Sequence, residues 1–173
     1  MSCTLYTIGH STRSIEEFIA LLRENGIELL ADVRSIPGSR RVPQFGKESL
    51  HASLRDADIE YHWLPELGGR RKTSPDSRNT AWRHPAFRGY ADYMETDEFS
   101  LALDELANIA CAVPTAIMCA EAVWWRCHRS MIADAMKWAG FEVLHIMAPG
   151  KVVEHPWTAA ARVVEGELSY EGA

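Results

Sequence analysis

Five residues able to do chemistry, Cys119, Glu121, Cys127, His128 and Arg129, fall within eleven positions of the chain. A thiol attacks as its thiolate, a carboxylate or imidazole moves protons, and a guanidinium grips phosphate or carboxylate with paired donors. They sit in MCAEAVWWRCHRSMIADAMKWAG, Met118 to Gly140. The apolar run before Cys119 predicts a strand ending there. RSMIADAMKWAG predicts a helix with Met131, Ile132, Ala135 and Trp138 inward and Gly140 as its stop.

Each residue has two readings. Cys119 is either a nucleophile at a strand end or a buried, inert thiol. A phosphatase-like C-x5-R loop is excluded, because Trp125 stands where the arginine belongs. Cys127, His128 and Arg129 precede a helix start, whose free N–H groups and dipole favour an anion and acidify a nearby thiol. The alternative is that this stretch only caps the helix while Arg129 pairs with an acid such as Glu121. Glu121 and Asp32 are each either general acid–base groups or clamps for Arg34, Arg129 or His10. Zinc is a minority reading, since the spacing matches neither C-x2–4-C sites nor zinc deaminases, so no metal ligand is expected. The absence of G-x-G-x-x-G and P-loop patterns leaves the cofactor unknown and disfavours dinucleotide or NTPase chemistry.

The elements that must position these groups alternate. CTLYTI reads as a strand ending at Gly9. Ser14 with Glu17 forms a capping box, followed by an apolar stripe at Ile15, Phe18, Ile19 and Leu22 and a stop at Gly26. IELLADV reads as a second, fully covered strand. A loop leads to a short helix around 50–56 and a strand in EYHWL. A long loop then precedes helices near 90–95 and 97–110. PTAIMCA and FEVLHIM supply the fourth and fifth strands. The tail after Pro149 predicts a helix near 158–162 and an edge strand in RVVEGELSY. The result is one α/β domain over residues 1–173, a mainly parallel sheet of about five strands with helices on both faces. Ligands in such sheets bind beyond the carboxyl ends of the strands. His10 and Ser11, Asp32 and Arg34, and Cys119 and Glu121 all lie there.

Composition narrows the class. The chain has 173 residues, 47% hydrophobic, with four cysteines and a net charge of −6. A core of this size needs no disulfide framework. Neither a signal-peptide pattern nor an apolar run of spanning length is present, so a cytoplasmic home and no membrane partner are expected. Between Arg34 and Arg88, eleven Lys/Arg face six Asp/Glu, so an acidic body carries a basic middle. That middle is either a solvated loop face or an anion-attracting surface. Its aromatics, with Trp124 and Trp125, would stack on bases or, more commonly, pack the loop; Trp63 and Phe87 are read as packing, and at least one of Trp124 and Trp125 as cleft-lining.

YTIGHSTRSIEEFIALL, LLADVRSIPGSRRVPQF, YHWLPELGG and MCAEAVWWRCHRSMIA together resemble domain-of-unknown-function family 488 (DUF488), over about residues 6–146. The resemblance implies a small cytoplasmic bacterial or archaeal α/β protein, and it implies no mechanism. Its motif positions are His10, Ser11, Asp32, Arg34, Cys119, Glu121, Cys127, His128 and Arg129.

The expected function is a hydrolase or transferase acting on an anionic small molecule, nucleotide or nucleic-acid end. His10, Ser11, Arg34, Cys127, His128 and Arg129 would hold the anion; Glu121, Asp32 and Cys119 would supply catalysis. The alternative is a non-catalytic nucleic-acid-binding module built on residues 34–88, with salt-sensitive binding. Oligomeric state is not legible.

Overall fold

A computed structural model describes residues 3–38 and 40–172. In chain order it has β1 (Thr4–Gly9), α1 (Ile15–Glu24), β2 (Leu29–Asp32), α2 (Lys47–Asp56), β3 (Glu60–Trp63), α3 (Pro85–Tyr93), α4 (Asp97–Ala112), β4 (Thr115–Cys119), α5 (Arg129–Trp138), β5 (Glu142–Ala148), β6 (Lys151–Glu154), β7 (Arg162–Val164) and β8 (Glu167–Ser169). The first six strands form one sheet in the order β3-β2-β4-β1-β5-β6. Its first five strands are parallel, and β6 runs antiparallel along β5. The fold is α/β.

Strand side chains alternate between two cores, as the pleat requires. Ile8, Leu30, Ala116 and Met118 face Phe18 and Leu22 of α1 and Leu50 and Leu54 of α2. Leu5, Ala31, Ile117 and Cys119 face the layer that contains Tyr90, Leu106, Met131 and Met136 of α3, α4 and α5. The capping box at Ser14 is present, with Ser14 Oγ accepting from the Glu17 N–H. Because β1, β2 and β4 are adjacent and parallel, their carboxyl ends share one edge.

Several expectations are corrected. The third helix begins at Pro85, where proline occupies the first turn and His84 Nδ1 accepts from the Ala86 N–H. Lys151–Glu154 is a sixth strand that was missed. Residues 158–161 make a turn, not a helix, since Thr158 is drawn inward by two hydrogen bonds to Asp134. RVVEGELSY is no edge strand of the main sheet; it folds on itself as the β7–β8 hairpin. Glu165 and Gly166 take positive φ at its tip, the conformation of a tight two-residue turn. Trp138 is 41% exposed and donates to the Gly166 carbonyl, so it supports the hairpin from outside the core. Cys3 and Cys111 are joined by a disulfide that ties the start of β1 to the end of α4. Among the described residues, no helix is long and apolar enough to cross a membrane.

Candidate functional site

A cleft of ≈ 510 Å³ opens at the carboxyl edge of the sheet. His10 from beyond β1, Arg34 from beyond β2, Cys119 at the end of β4, Glu121 just beyond it, and Cys127 and His128 before α5 line it together. Ser35, Arg70, His84 and Arg126 add further polar groups to it and were not among the site residues expected from the sequence. Arg126 adjoins the motif, but Arg70 and His84 lie in aperiodic loop that carried no signal of its destination.

Gly9 makes the convergence possible. A Cβ there would overlap the Glu121 carbonyl oxygen, so only glycine lets the segment after β4 fold across the end of β1. His10 N–H and Ser11 N–H then donate to the carbonyls of Cys119 (2.9 Å) and Ala120 (3.0 Å). Ser11 is held at φ 49° and does not line the cleft; its carbonyl accepts from His10 Nδ1 at 2.8 Å. With that proton on Nδ1, His10 Nε2 is an acceptor facing Arg34 Nη1 at 3.4 Å. Burial first, with the Arg34 charge, lowers the His10 pKa and keeps the ring neutral. Phe45 stacks on it at 4.5 Å and fixes its plane.

Asp32 makes the contacts of a clamp. It is fully buried and accepts from Arg34 Nε (2.9 Å) and Nη2 (2.7 Å), from the Arg34 N–H, and from Tyr61 Oη at 2.6 Å. Burial and the bond to Asp32 push the Tyr61 phenol up. Arg34 is thereby aimed at the cleft with one guanidinium nitrogen left toward His10.

Arg129 does not reach the cleft. It is fully buried and donates to Thr7 Oγ1 (3.1 Å) and to the carbonyls of Glu121 (3.0 Å) and Ala122 (3.5 Å). No carboxylate pairs with it among the described residues. Glu121 is exposed, and its backbone, not its side chain, meets Arg129. Nor is the start of α5 open to a ligand: the Arg129 N–H donates to Cys127 Sγ at 3.3 Å, and the Ser130 and Met131 N–H groups serve the carbonyls of Cys127 and His128.

What the helix start favours instead is the Cys127 thiolate. Burial opposes ionisation, but the bond from Cys119, the Arg129 charge and the Arg129 N–H outweigh it and lower Cys127 to about 7. Cys119 moves the other way: burial, then its bond to Cys127 and the charge there, raise it well above the ordinary thiol value. The two sulfurs stand 2.8 Å apart. His128 Nε2 donates to the Val33 carbonyl at 2.7 Å, which leaves Nδ1 as an acceptor. Burial holds the His128 pKa down at about 4.

Behind this wall runs a buried chain of hydrogen bonds. Asp134 accepts four, from His155 Nε2, the Thr158 N–H and Oγ1, and Tyr170 Oη. His155 Nδ1 must then accept from His145 Nε2 at 2.8 Å, and His145 Nδ1 from Thr7 Oγ1, which itself accepts from Arg129. Trp124 stacks on His145 at 4.7 Å and Trp125 is exposed, so neither tryptophan lines the cleft.

Among the described residues, no three His, Cys, Asp or Glu side chains cluster as metal ligands. No curated protein and no solved structure shows a significant match to the chain. The model of the family described as "Domain of unknown function DUF488" matches residues 14–136, covering Asp32, Arg34 and the whole Cys119–Arg129 segment and leaving His10 and Ser11 just before it. With most of its length and the ends of β2, β3 and β4 inside that match, the chain belongs to the DUF488 family.

Proposed function

We propose that the protein is a hydrolase or transferase acting on an anionic small molecule, with Cys127 as the attacking group. The observation that carries this reading is one cleft in which an acidified thiol meets three arginines, Arg34, Arg70 and Arg126, against one lining carboxylate among the described residues, Glu121. The arginines would hold a phosphate or carboxylate of the substrate. Cys127 would attack an adjacent acyl or phosphoryl centre, and Glu121, at the rim, would carry the proton to the leaving group and take one from the incoming acceptor. Cys119 donates to the nucleophile, and Asp32 and Arg129 position Arg34 and the 121–122 backbone. His10 and His128 remain neutral acceptors on the wall.

The nucleic-acid alternative has weaker support, since much of the basic segment is already engaged. Arg71 lies 3.6 Å over the Tyr93 ring, Arg78 pairs with Glu95, and Arg88 donates to the Trp82 carbonyl. Trp63 donates to the Arg34 carbonyl and Trp82 stacks on Phe87.

Titration calorimetry with phosphate and with small dicarboxylates tests the reading, followed by turnover of carboxylate- and phosphate-bearing nitrophenyl esters. Arg70→Ala and Arg126→Ala should each weaken anion binding about tenfold. Cys127→Ser should leave binding in place and reduce turnover by roughly 10²-fold or more. Failure to bind any of these anions would sink the reading.

A further inference from the structure

We propose that Cys119 and Cys127 form a reversible dithiol–disulfide couple on the cleft, oxidised by a low-molecular-weight disulfide that carries carboxylates. This goes beyond the transfer reading and shares its attacking sulfur and its three cleft arginines.

The geometry is that of a pair poised to bond. The hydrogen-bonded sulfurs stand 2.8 Å apart, and a disulfide needs about 2.05 Å. Both thiols are free, unlike Cys3 and Cys111. The seven-residue connection between them is held from two sides. Arg129 grips the carbonyls of Glu121 and Ala122, and Gly9 lets that backbone lie against β1. Closing the bond therefore asks the two sulfurs to approach by less than about 1 Å.

The two sulfurs also differ in access. Cys127 is partly exposed in the cleft, whereas Cys119 is 2% exposed beneath it. An accessible, ionised attacker with a sheltered partner is the arrangement of a reacting and a resolving cysteine. The Cys127 thiolate attacks one sulfur of the small disulfide, whose S–S bond breaks and releases a thiolate that takes a proton from water. With Cys127 capped, its charge no longer opposes ionisation of Cys119. The Cys119 thiol then gives up its proton to solvent and attacks Cys127 Sγ, releasing the second small thiolate. Two protein thiols become one disulfide, and one small disulfide becomes two thiols, so electrons and protons balance. Arg34, Arg70 and Arg126 on the cleft walls select for a disulfide with negative charges.

Tryptic mapping tests the couple, since Arg126 separates the sulfurs: Cys119 lies with Cys111 on fragment 89–126, Cys127 on 127–129 and Cys3 on 1–13. After treatment of the folded full-length protein with oxidised glutathione and acid quench, 127–129 should be found bonded to 89–126 through Cys119. Both thiols should become resistant to alkylation together, and dithiothreitol should restore both. Cys119→Ala should trap glutathione on Cys127. A wild-type protein that stops at the Cys127–glutathione adduct, or bonds Cys127 to Cys3 or Cys111, overturns the couple; so does one whose two thiols stay unreacted until it is unfolded. Cationic cystamine at low salt should oxidise the pair at least about tenfold more slowly than glutathione disulfide. Equal or faster oxidation by cystamine overturns the assignment to carboxylate-bearing disulfides. None of these readouts depends on ester turnover or on anion calorimetry.

Discussion

At the scale of single residues, the unusual group is Arg129. A guanidinium with no exposure and no carboxylate partner among the described residues needs a compensating charge, because an uncompensated buried ion costs several kcal/mol. The Cys127 thiol, acidified to about 7 in part by the Arg129 charge, is the group placed to supply that compensation. The pairing explains why the helix start holds a sulfur in place of a bound anion. Removing the Cys119 hydrogen bond should therefore raise the Cys127 pKa. In the reduced protein, alkylation of Cys127 by iodoacetamide should titrate near pH 7, and its midpoint should move upward in Cys119→Ala. An unchanged midpoint would mean that the short sulfur–sulfur contact does not acidify Cys127. Asp32 illustrates the converse: a buried carboxylate paired with a guanidinium and a phenol is a firm mount for Arg34.

At the scale of elements, the segment linking β4 to α5 works because β1 ends in glycine. Gly9→Ala must displace a backbone carbonyl rather than a flexible side chain, which should cost about 1–3 kcal/mol in urea unfolding. The same variant should spread Cys119 and Cys127 apart and slow their joint oxidation. Gly26→Ala makes a useful comparison, since nothing lies within 4 Å of its Cβ site and any loss there reports only backbone strain at φ 67°. The capping box, the apolar stripe of α1 and the covered strand β2 were legible because they are local patterns of spacing. The β7–β8 hairpin was misread although Glu165-Gly166 is a turn signal, because two short strands of similar residues mimic one longer strand.

At the scale of the whole molecule, two features should be measurable. Burial lowers His128 to about 4 and His145 to about 2 from an ordinary 6.5. Unfolding therefore takes up protons below pH 6.5, and the native state loses stability as pH falls from about 6.5 toward 4. The slope should be roughly 1.4 kcal/mol per pH unit for each group, seen as a falling urea midpoint. A flat midpoint across that window would show that the two rings are not buried in neutral form. The Cys3–Cys111 disulfide closes a span of 108 residues. Cys111→Ser should lower stability by about 2–4 kcal/mol and leave the Cys119–Cys127 chemistry intact.

Residue order was enough to give the α/β class, the strands β1 to β5, and the edge of the sheet at which Cys119, Cys127, His10 and Arg34 meet. Periodicity and capping act over a few residues, and the rule that ligands bind beyond parallel strand ends does the rest. Which way each charged side chain turns was decided only by packing across long sequence separations. Arg129 turned inward to Thr7, 122 positions away, and Arg70 and His84 were carried to the cleft by loops with no period. Hydrogen-bond pairing in a buried wall is a property of the assembled tertiary contacts. No local pattern in the chain encodes whether a strand-end charge meets solvent or a distant partner.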